Sequence, residues 1–133
     1  TAWFRASGEK AEKLRNSVIA ALDAGFRHLD DAEMYGNEKP FGDGVHEWLA
    51  RTGADRSQLF ITGKVYSCDE PGPAAVCRSS LAASRLPYYD LYLVHSPFQR
   101  GGEPFRRSLL DIWREVETLV DDGLVKAVGV SNW

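Results

Sequence analysis

Four short apolar runs recur along the chain, beginning near residues 26, 59, 89 and 125, and each gives way to a polar loop and then an amphipathic stretch. No other feature restricts the fold as much. The runs 26–30, 59–63, 89–94 and 125–130 are predicted strands, with starts 30 to 36 residues apart. Helical periodicity fills the intervals. It predicts a helix over 10–24, one around 44–51 with Asn37 and Glu38 as a candidate start, and one from Pro73 carried by Val76, Leu81 and Leu86. A long helix is predicted over 104–122, with Leu109, Ile112, Trp113, Val116, Leu119 and Val120 as its apolar stripe. Gly25, Gly53 and Gly123 stand where helices end. Segments 67–72 and 99–104 read as mobile surface loops.

Repeated strand, loop, helix and loop means parallel strands joined by helical crossovers. Strands apolar almost throughout agree, because a parallel sheet is covered on both faces. Two architectures fit, an open doubly wound sheet and a (β/α)8 TIM barrel. No Gly-x-Gly-x-x-Gly turn follows the first strand, and no P-loop is present. Polar residues close three successive strands, which favours the barrel, whose active sites draw on many strand ends. A whole barrel takes about 250 residues. At 133 residues the chain is read as a single partial barrel domain, 1–133.

Composition narrows the function. A net charge of −3 offers no electrostatic case for nucleic acid or an anionic membrane. Apolar content of 44% and charged content of 26% suit a soluble globular protein. No apolar stretch approaches the roughly 20 residues of a membrane span, and no secretory signal is visible in a chain that begins at Thr1. Cys68 and Cys77 are too few for a disulfide framework and are expected to be free thiols, which fits a reducing cytosol and a cytoplasmic location.

The reactive residues sit at the strand ends. Asp30, Lys64 and His95 close the first three runs, and Tyr35 follows Asp30 in the next loop. Parallel strands would bring all four to one edge of the sheet. A lysine there needs a counter-charge, which Asp30 can supply. A phenol releases its proton only near pH ~10 unless a cation stabilises the phenolate, and Lys64 is such a cation. Aspartate, lysine and tyrosine together make a general-acid assembly; an ion pair capping the sheet and a packed loop aromatic is the plainer reading. His95 follows a run of apolar and aromatic residues, yet Pro97 marks a turn and puts it at the strand's end, where it could donate a hydrogen bond to a substrate carbonyl. Asp31, Glu33 and Glu38 read as loop charges, and His46 as a surface residue without partners. His28, Asp30 and His95 admit a reading as metal ligands, against which stands the lysine beside them. Ser131 and Asn132 could hydrogen-bond an amide such as a nicotinamide carboxamide, or cap a following helix.

These segments resemble a known family. Residues 25–38 (GFRHLDDAEMYGNE) are similar to the first signature of the aldo-keto reductases. Residues 86–97 (LPYYDLYLVHSP) resemble the segment with that family's histidine, 61–64 (ITGK) its lysine strand, and 119–133 (LVDDGLVKAVGVSNW) its fifth strand and the approach to it. The resemblance implies a (β/α)8 barrel that reduces aldehydes or ketones with a nicotinamide cofactor, NADPH before NADH, and without a metal. It makes Tyr35 the proton donor, Lys64 and Asp30 the pair that tunes it, His95 the residue that orients the carbonyl, and Ser131 and Asn132 the carboxamide-binding pair. Asp30 is also counted with the cofactor site. Thr1, Ala2 and Trp3 resemble the end of the first barrel strand. Together with Phe4 and Gly36, Asn37 and Glu38, they look most like fungal keto-ester or keto-amide reductases. Gly63 stands where the family often has serine, and Trp133 where it has phenylalanine; both are read as tolerable. On this reading the segment runs from the end of strand 1 through strand 5, strands 6–8 with the phosphate-binding loop lie outside it, and the isolated fragment is expected to be inactive. Two other readings remain beside it: a non-catalytic half-barrel or binding subunit, and a metal-dependent barrel hydrolase using His28, Asp30 and His95.

Overall fold

The computed structural model describes residues 4–133; Thr1, Ala2 and Trp3, with the strand expected to end there, lie outside the described residues. The elements alternate as expected: α1 (Gly8–Asp23), β1 (His28–Asp30), α2 (Glu38–Thr52), β2 (Phe60–Val65), α3 (Pro73–Ser84), β3 (Leu91–Val94), α4 (Leu109–Asp121) and β4 (Val128–Val130). The strands form one parallel sheet in the order β1-β2-β3-β4. Single 3-10 turns at Glu33–Tyr35 and Arg56–Gln58 interrupt what the sequence presents as loops.

Boundaries moved where a cap or a tertiary bond overrode periodicity. Helix α2 begins at Glu38, the start that Asn37 and Glu38 offered, a turn and a half before the apolar periodicity sets in near Gly44. Pro40 permits this because it lies in the first turn, where backbone N–H groups have no intrahelical partner to lose. Helix α4 begins only at Leu109. Ser108 caps it by accepting from the Asp111 N–H, while the N–H groups of Arg106 and Arg107 are held outside the helix by the Asp69 carboxylate, at 3.0 and 2.9 Å. Leu109 and Val120, expected in the apolar stripe, are exposed. The same Asp69 bonds, and a fully buried Cys68, tie segment 67–72 to the loop before α4. Both cysteines are free and buried, and burial pushes each thiol up to about 12.

Strand alternation sorts the sheet residues onto two faces. Leu29, Ile61, Val65, Tyr92 and Val94 share a face by register and join the helices in one core. Asp30, Thr62, Lys64 and Leu93 occupy the other. Close packing dictates several glycines. A Cβ at Gly63 would lie 2.8 Å from the Tyr89 ring, so a serine at that position would not fit beside this tyrosine without movement. Within α2, a Cβ at Gly42 would lie 2.1 Å from the Ser84 carbonyl oxygen, and one at Gly44 2.8 Å from that of Arg15. The two glycines let α2 approach α3 on one side and α1 on the other.

Gly42→Ala is therefore expected to destabilise the protein. Alanine gains about 1 kcal/mol of helix propensity, but overpacking against a backbone oxygen costs roughly 3 kcal/mol or more. A net loss of about 2 kcal/mol should appear as a lower urea midpoint. A midpoint at or above the wild type would mean that α2 and α3 separate freely.

Candidate active site

Parallel pairing brings Asp30, Lys64 and His95 to the C-terminal edge of the sheet. Asp30 is the last residue of β1, Lys64 the penultimate residue of β2, and His95 follows β3 directly. The His95 backbone N–H donates to the Val65 carbonyl at 2.8 Å, which continues the ladder past the strand. Tyr35 closes the 3-10 turn that follows β1, and Gly36 ends that turn at φ 58°, a left-handed conformation that suits glycine.

Lys64 is the centre of the arrangement and is 8% exposed. Its Nζ donates to Asp30 Oδ1, to the Asp31 carbonyl at 3.3 Å and to Tyr35 Oη at 3.3 Å. A buried ammonium needs such partners, because an unpaired one would be expelled or neutralised. The Tyr35 ring stands edge-on to Phe4 at 5.4 Å and to His95 at 6.0 Å. The His95 ring also meets Tyr66 at 5.4 Å. Tyr66 lies two residues beyond Lys64, a spacing that places it on the same side of the chain, and this was the signal by which the sequence could have revealed it.

Burial and the nearby Lys64 cation hold His95 below the usual histidine range, against the opposing pull of Asp30 and Glu33. His95 is thus biased toward its neutral form. Its Nδ1 is buried and makes no hydrogen bond among the described residues. The sign of the linkage follows. The unfolded chain takes up the His95 proton more readily than the folded one, so stability is complete above the unfolded value of about 6.5 and falls as pH drops from there through the lowered native value. Melting temperature should therefore decline as pH falls below about 6.5, and His95→Asn should flatten that segment. An equal slope in the variant would assign the decline to other groups.

Ser131 and Asn132 follow β4. The Ser131 N–H donates to the Val94 carbonyl at 2.9 Å, extending the β3 pairing. Asn132 sits in the left-handed region at φ 60°, and its Nδ2 donates to the His95 carbonyl at 2.6 Å and to Ser131 Oγ at 3.1 Å. These bonds use neither the Ser131 hydroxyl proton nor Asn132 Oδ1, so two adjacent residues keep a donor and an acceptor. A primary carboxamide offers the complementary acceptor and donors, so the pair fits a nicotinamide amide.

Several expectations need correction. Asp31 and Glu33 are not solvated loop charges. Asp31 is fully buried, and the Glu33 carboxylate accepts from the Tyr66 and Ser67 N–H groups at 2.8 and 3.0 Å and from the Ser67 hydroxyl. Glu38 is part-buried and accepts from Ser80 at 3.0 Å. His46 is half-buried, with Nε2 at 3.2 Å from the Ser84 carbonyl and 3.0 Å from that of Arg85. His28 turns to Thr62 Oγ1 at 2.9 Å and to the Phe60 ring. The structure does not gather His28, Asp30 and His95 into a ligand set, and among the described residues no three His, Cys, Asp or Glu side chains form a group able to hold a metal. No helix among the described residues is long and apolar enough to cross a membrane.

A cleft of about 400 Å³ has Arg5, Glu33, Met34, Tyr66, Arg100 and Phe105 among its walls, and none of Asp30, Tyr35, Lys64 and His95 lines it. Tyr66 belongs both to this cleft and to the surroundings of His95.

Comparison with known proteins agrees with the geometry. The family model described as the aldo/keto reductase family matches residues 2–133. An uncharacterized oxidoreductase of Bacillus subtilis, YtbE, is 38% identical over an alignment of 127 positions that covers 94% of this chain and 43% of that protein. The aldo-keto reductase family 1 member A1-A of Danio rerio is 37% identical over an alignment of 147 positions, gaps included, that covers 98% of this chain and 44% of that protein. The chain spans less than half the length of these curated relatives. Among solved structures, the aldose reductase of Giardia lamblia superposes with a TM-score of 0.84 at 32% identity, covering 98% of this chain and 48% of that one. The Bombyx mori aldo-keto reductase, solved in complex with NADP, gives 0.81 at 29% identity, over 96% of this chain and 44% of that one. The parallel α/β arrangement is thus that of about half of an aldose reductase (β/α)8 barrel.

Proposed function

The chain belongs to the aldo/keto reductase family, and we propose that the whole protein reduces aldehyde or ketone carbonyls to alcohols, with Tyr35 as proton donor. The reading rests on one observation: the buried Lys64 ammonium lies 3.3 Å from Tyr35 Oη and is paired with Asp30. We take NADPH as the hydride donor, in line with the family and with the NADP complex of the Bombyx mori relative. Segment 1–133 serves as the N-terminal part of one barrel domain, and the substrate is a small carbonyl compound.

Ser131 and Asn132 would hold the nicotinamide through its carboxamide. A nicotinamide held there would supply the hydride that the carbonyl carbon needs. The chain's own residues do the rest. His95 donates a hydrogen bond to the carbonyl oxygen and fixes its direction. As the carbon–oxygen π bond opens, the developing alkoxide takes the proton from Tyr35 Oη. The tyrosinate left behind is stabilised by the ammonium of Lys64, whose position Asp30 secures. Such preorganised charge is worth most where water is excluded. Carbonyl-dependent oxidation of NADPH, with alcohol formed in equal amount, tests the reading; cofactor consumption that ignores the carbonyl would overturn it.

A further inference from the structure

The turn that carries Tyr35 has almost nothing of its own to hold it. It is a single 3-10 turn of three residues, Glu33–Tyr35, and none of its side chains is buried. Its internal bonds are few: the Tyr35 N–H to the Ala32 carbonyl at 3.0 Å and the Gly36 N–H to the Glu33 carbonyl at 2.9 Å. A proton donor on such a turn depends on bonds from outside the turn to fix its position. Lys64, its cation, is by contrast locked into β2 and tied to Asp30.

We propose that Glu33 is the positioning residue of this site: a strut that fixes the Tyr35 turn to the end of β2 and so sets the distance between phenol and ammonium. Its carboxylate reaches across to the first two residues after β2. Oε2 accepts from the Tyr66 N–H at 2.8 Å and from the Ser67 N–H at 3.0 Å, and Oε1 accepts from the Ser67 hydroxyl. Those residues follow Lys64 within three positions on the same continuous backbone. Both ends of the strut are therefore adjacent in chain to the two groups whose separation matters. Two other ties brace the turn from other directions: the Arg5 N–H donates to the Tyr35 carbonyl at 2.6 Å, and the Arg100 guanidinium to the Met34 carbonyl at 3.2 Å. Neither reaches β2, so only Glu33 among the three fixes the turn to the strand that bears Lys64.

The strut works through the position of its acceptor atoms more than through its charge, which separates two substitutions. Glutamine is isosteric: its Oε1 can take both backbone N–H groups, and its amide can donate to the Ser67 hydroxyl oxygen. Aspartate keeps the charge but is one methylene shorter, so it either releases Tyr66 and Ser67 or drags the turn toward them. An ångström of misplacement at a reacting group can cost about a hundredfold in rate.

This proposal rests on the reading of Tyr35 as proton donor. The experiment compares Glu33→Asp, Glu33→Gln and Tyr35→Phe in the whole protein. We expect Glu33→Asp to lower kcat by about ten- to a hundredfold with little change in KM for the carbonyl, and Glu33→Gln to retain most of the rate. The solvent deuterium isotope effect on kcat should rise in Glu33→Asp, since proton transfer becomes harder. In a Tyr35→Phe background, Glu33→Asp should have no further effect. A second readout needs no turnover: the Tyr66 and Ser67 amides should exchange with solvent slowly in the wild type and in Glu33→Gln, and faster in Glu33→Asp. Full kcat in Glu33→Asp, or equal losses in the glutamine and aspartate variants, would overturn the strut. If instead Tyr35→Phe itself turns over at the wild-type rate, it is the assignment of the proton donor that fails.

Discussion

Tyr35→Phe is expected to lower kcat for carbonyl reduction by about 10²- to 10⁴-fold, the usual contribution of a positioned general acid. The substitution removes a single oxygen. Edge-on contacts of the ring with Phe4 and His95 do not involve that oxygen and should persist. Lys64 loses one donor contact, the 3.3 Å bond to Oη, but keeps Asp30 and the Asp31 carbonyl. Folding should therefore be nearly untouched, and unfolding curves of wild type and variant should coincide. Because the proton is given only as the carbonyl is reduced, the loss should fall on kcat and on kcat/KM alike rather than on KM. Steady-state oxidation of NADPH with a ketone measures it. Turnover equal to the wild type would remove Tyr35 from the chemistry and leave its approach to Lys64 as packing.

The largest stability effect is expected at the opposite edge of the sheet. Asp90 immediately precedes β3 and binds the starts of three strands together. Oδ2 accepts from the Ile61 N–H at 2.9 Å and from Arg56 at 2.9 Å, and Oδ1 accepts from Lys126 at 2.8 Å. The Tyr88 ring lies between the two cations, 4.4 Å from the Arg56 guanidinium and 4.3 Å from the Lys126 ammonium. Asp90 is 6% exposed and the Arg56 side chain 11%, so this is a buried pair, unlike Arg78 with Asp122 at 55% and 45%. Removing one member of a buried pair strands the other and costs about 3–5 kcal/mol, whereas an exposed pair contributes under about 1 kcal/mol.

Asp90→Ala should accordingly lose about 3 kcal/mol in urea unfolding at neutral pH, and Arg78→Ala well under about 1 kcal/mol. The pH dependence has a definite sign. Burial works to raise the Asp90 carboxyl, but the bonds from Lys126, the Ile61 N–H and Arg56 outweigh it and hold the group below the usual carboxylate range. Its contribution is complete above the unfolded value of about 3.9 and is lost as pH falls through the lower native value. That window lies below the His95 one, so the two can be told apart. Equal losses in the two alanine variants would mean that Asp90 is solvated in solution.

Much of the fold was legible because it rests on local signals. Strand and helix periods, and the glycines that end α2 and α4, are properties of neighbouring residues. Where the expected boundaries moved, a distant partner was responsible. Helix α4 starts late because Asp69, 37 and 38 residues away, holds the N–H groups that a first turn would have used. Gly63 could be read from sequence only as a tolerable departure. Its necessity comes from the Tyr89 ring, packed against it from outside the strand.

The candidate site divides along the same line. By itself the sequence determined which reactive residues share an edge: Asp30, Lys64 and His95 end successive parallel strands, and Tyr35 follows one of them closely. Chain order and side-chain alternation suffice for that. Only the tertiary structure decided that Lys64 faces Tyr35 at 3.3 Å, that Glu33 reaches Tyr66 across 33 residues, and that Asp90 ties β2 to β3 from below. These pairings depend on strand register and on the course of each loop. Glu33 and a solvated loop glutamate look alike in sequence, because a carboxylate's role is set by the donors brought to it.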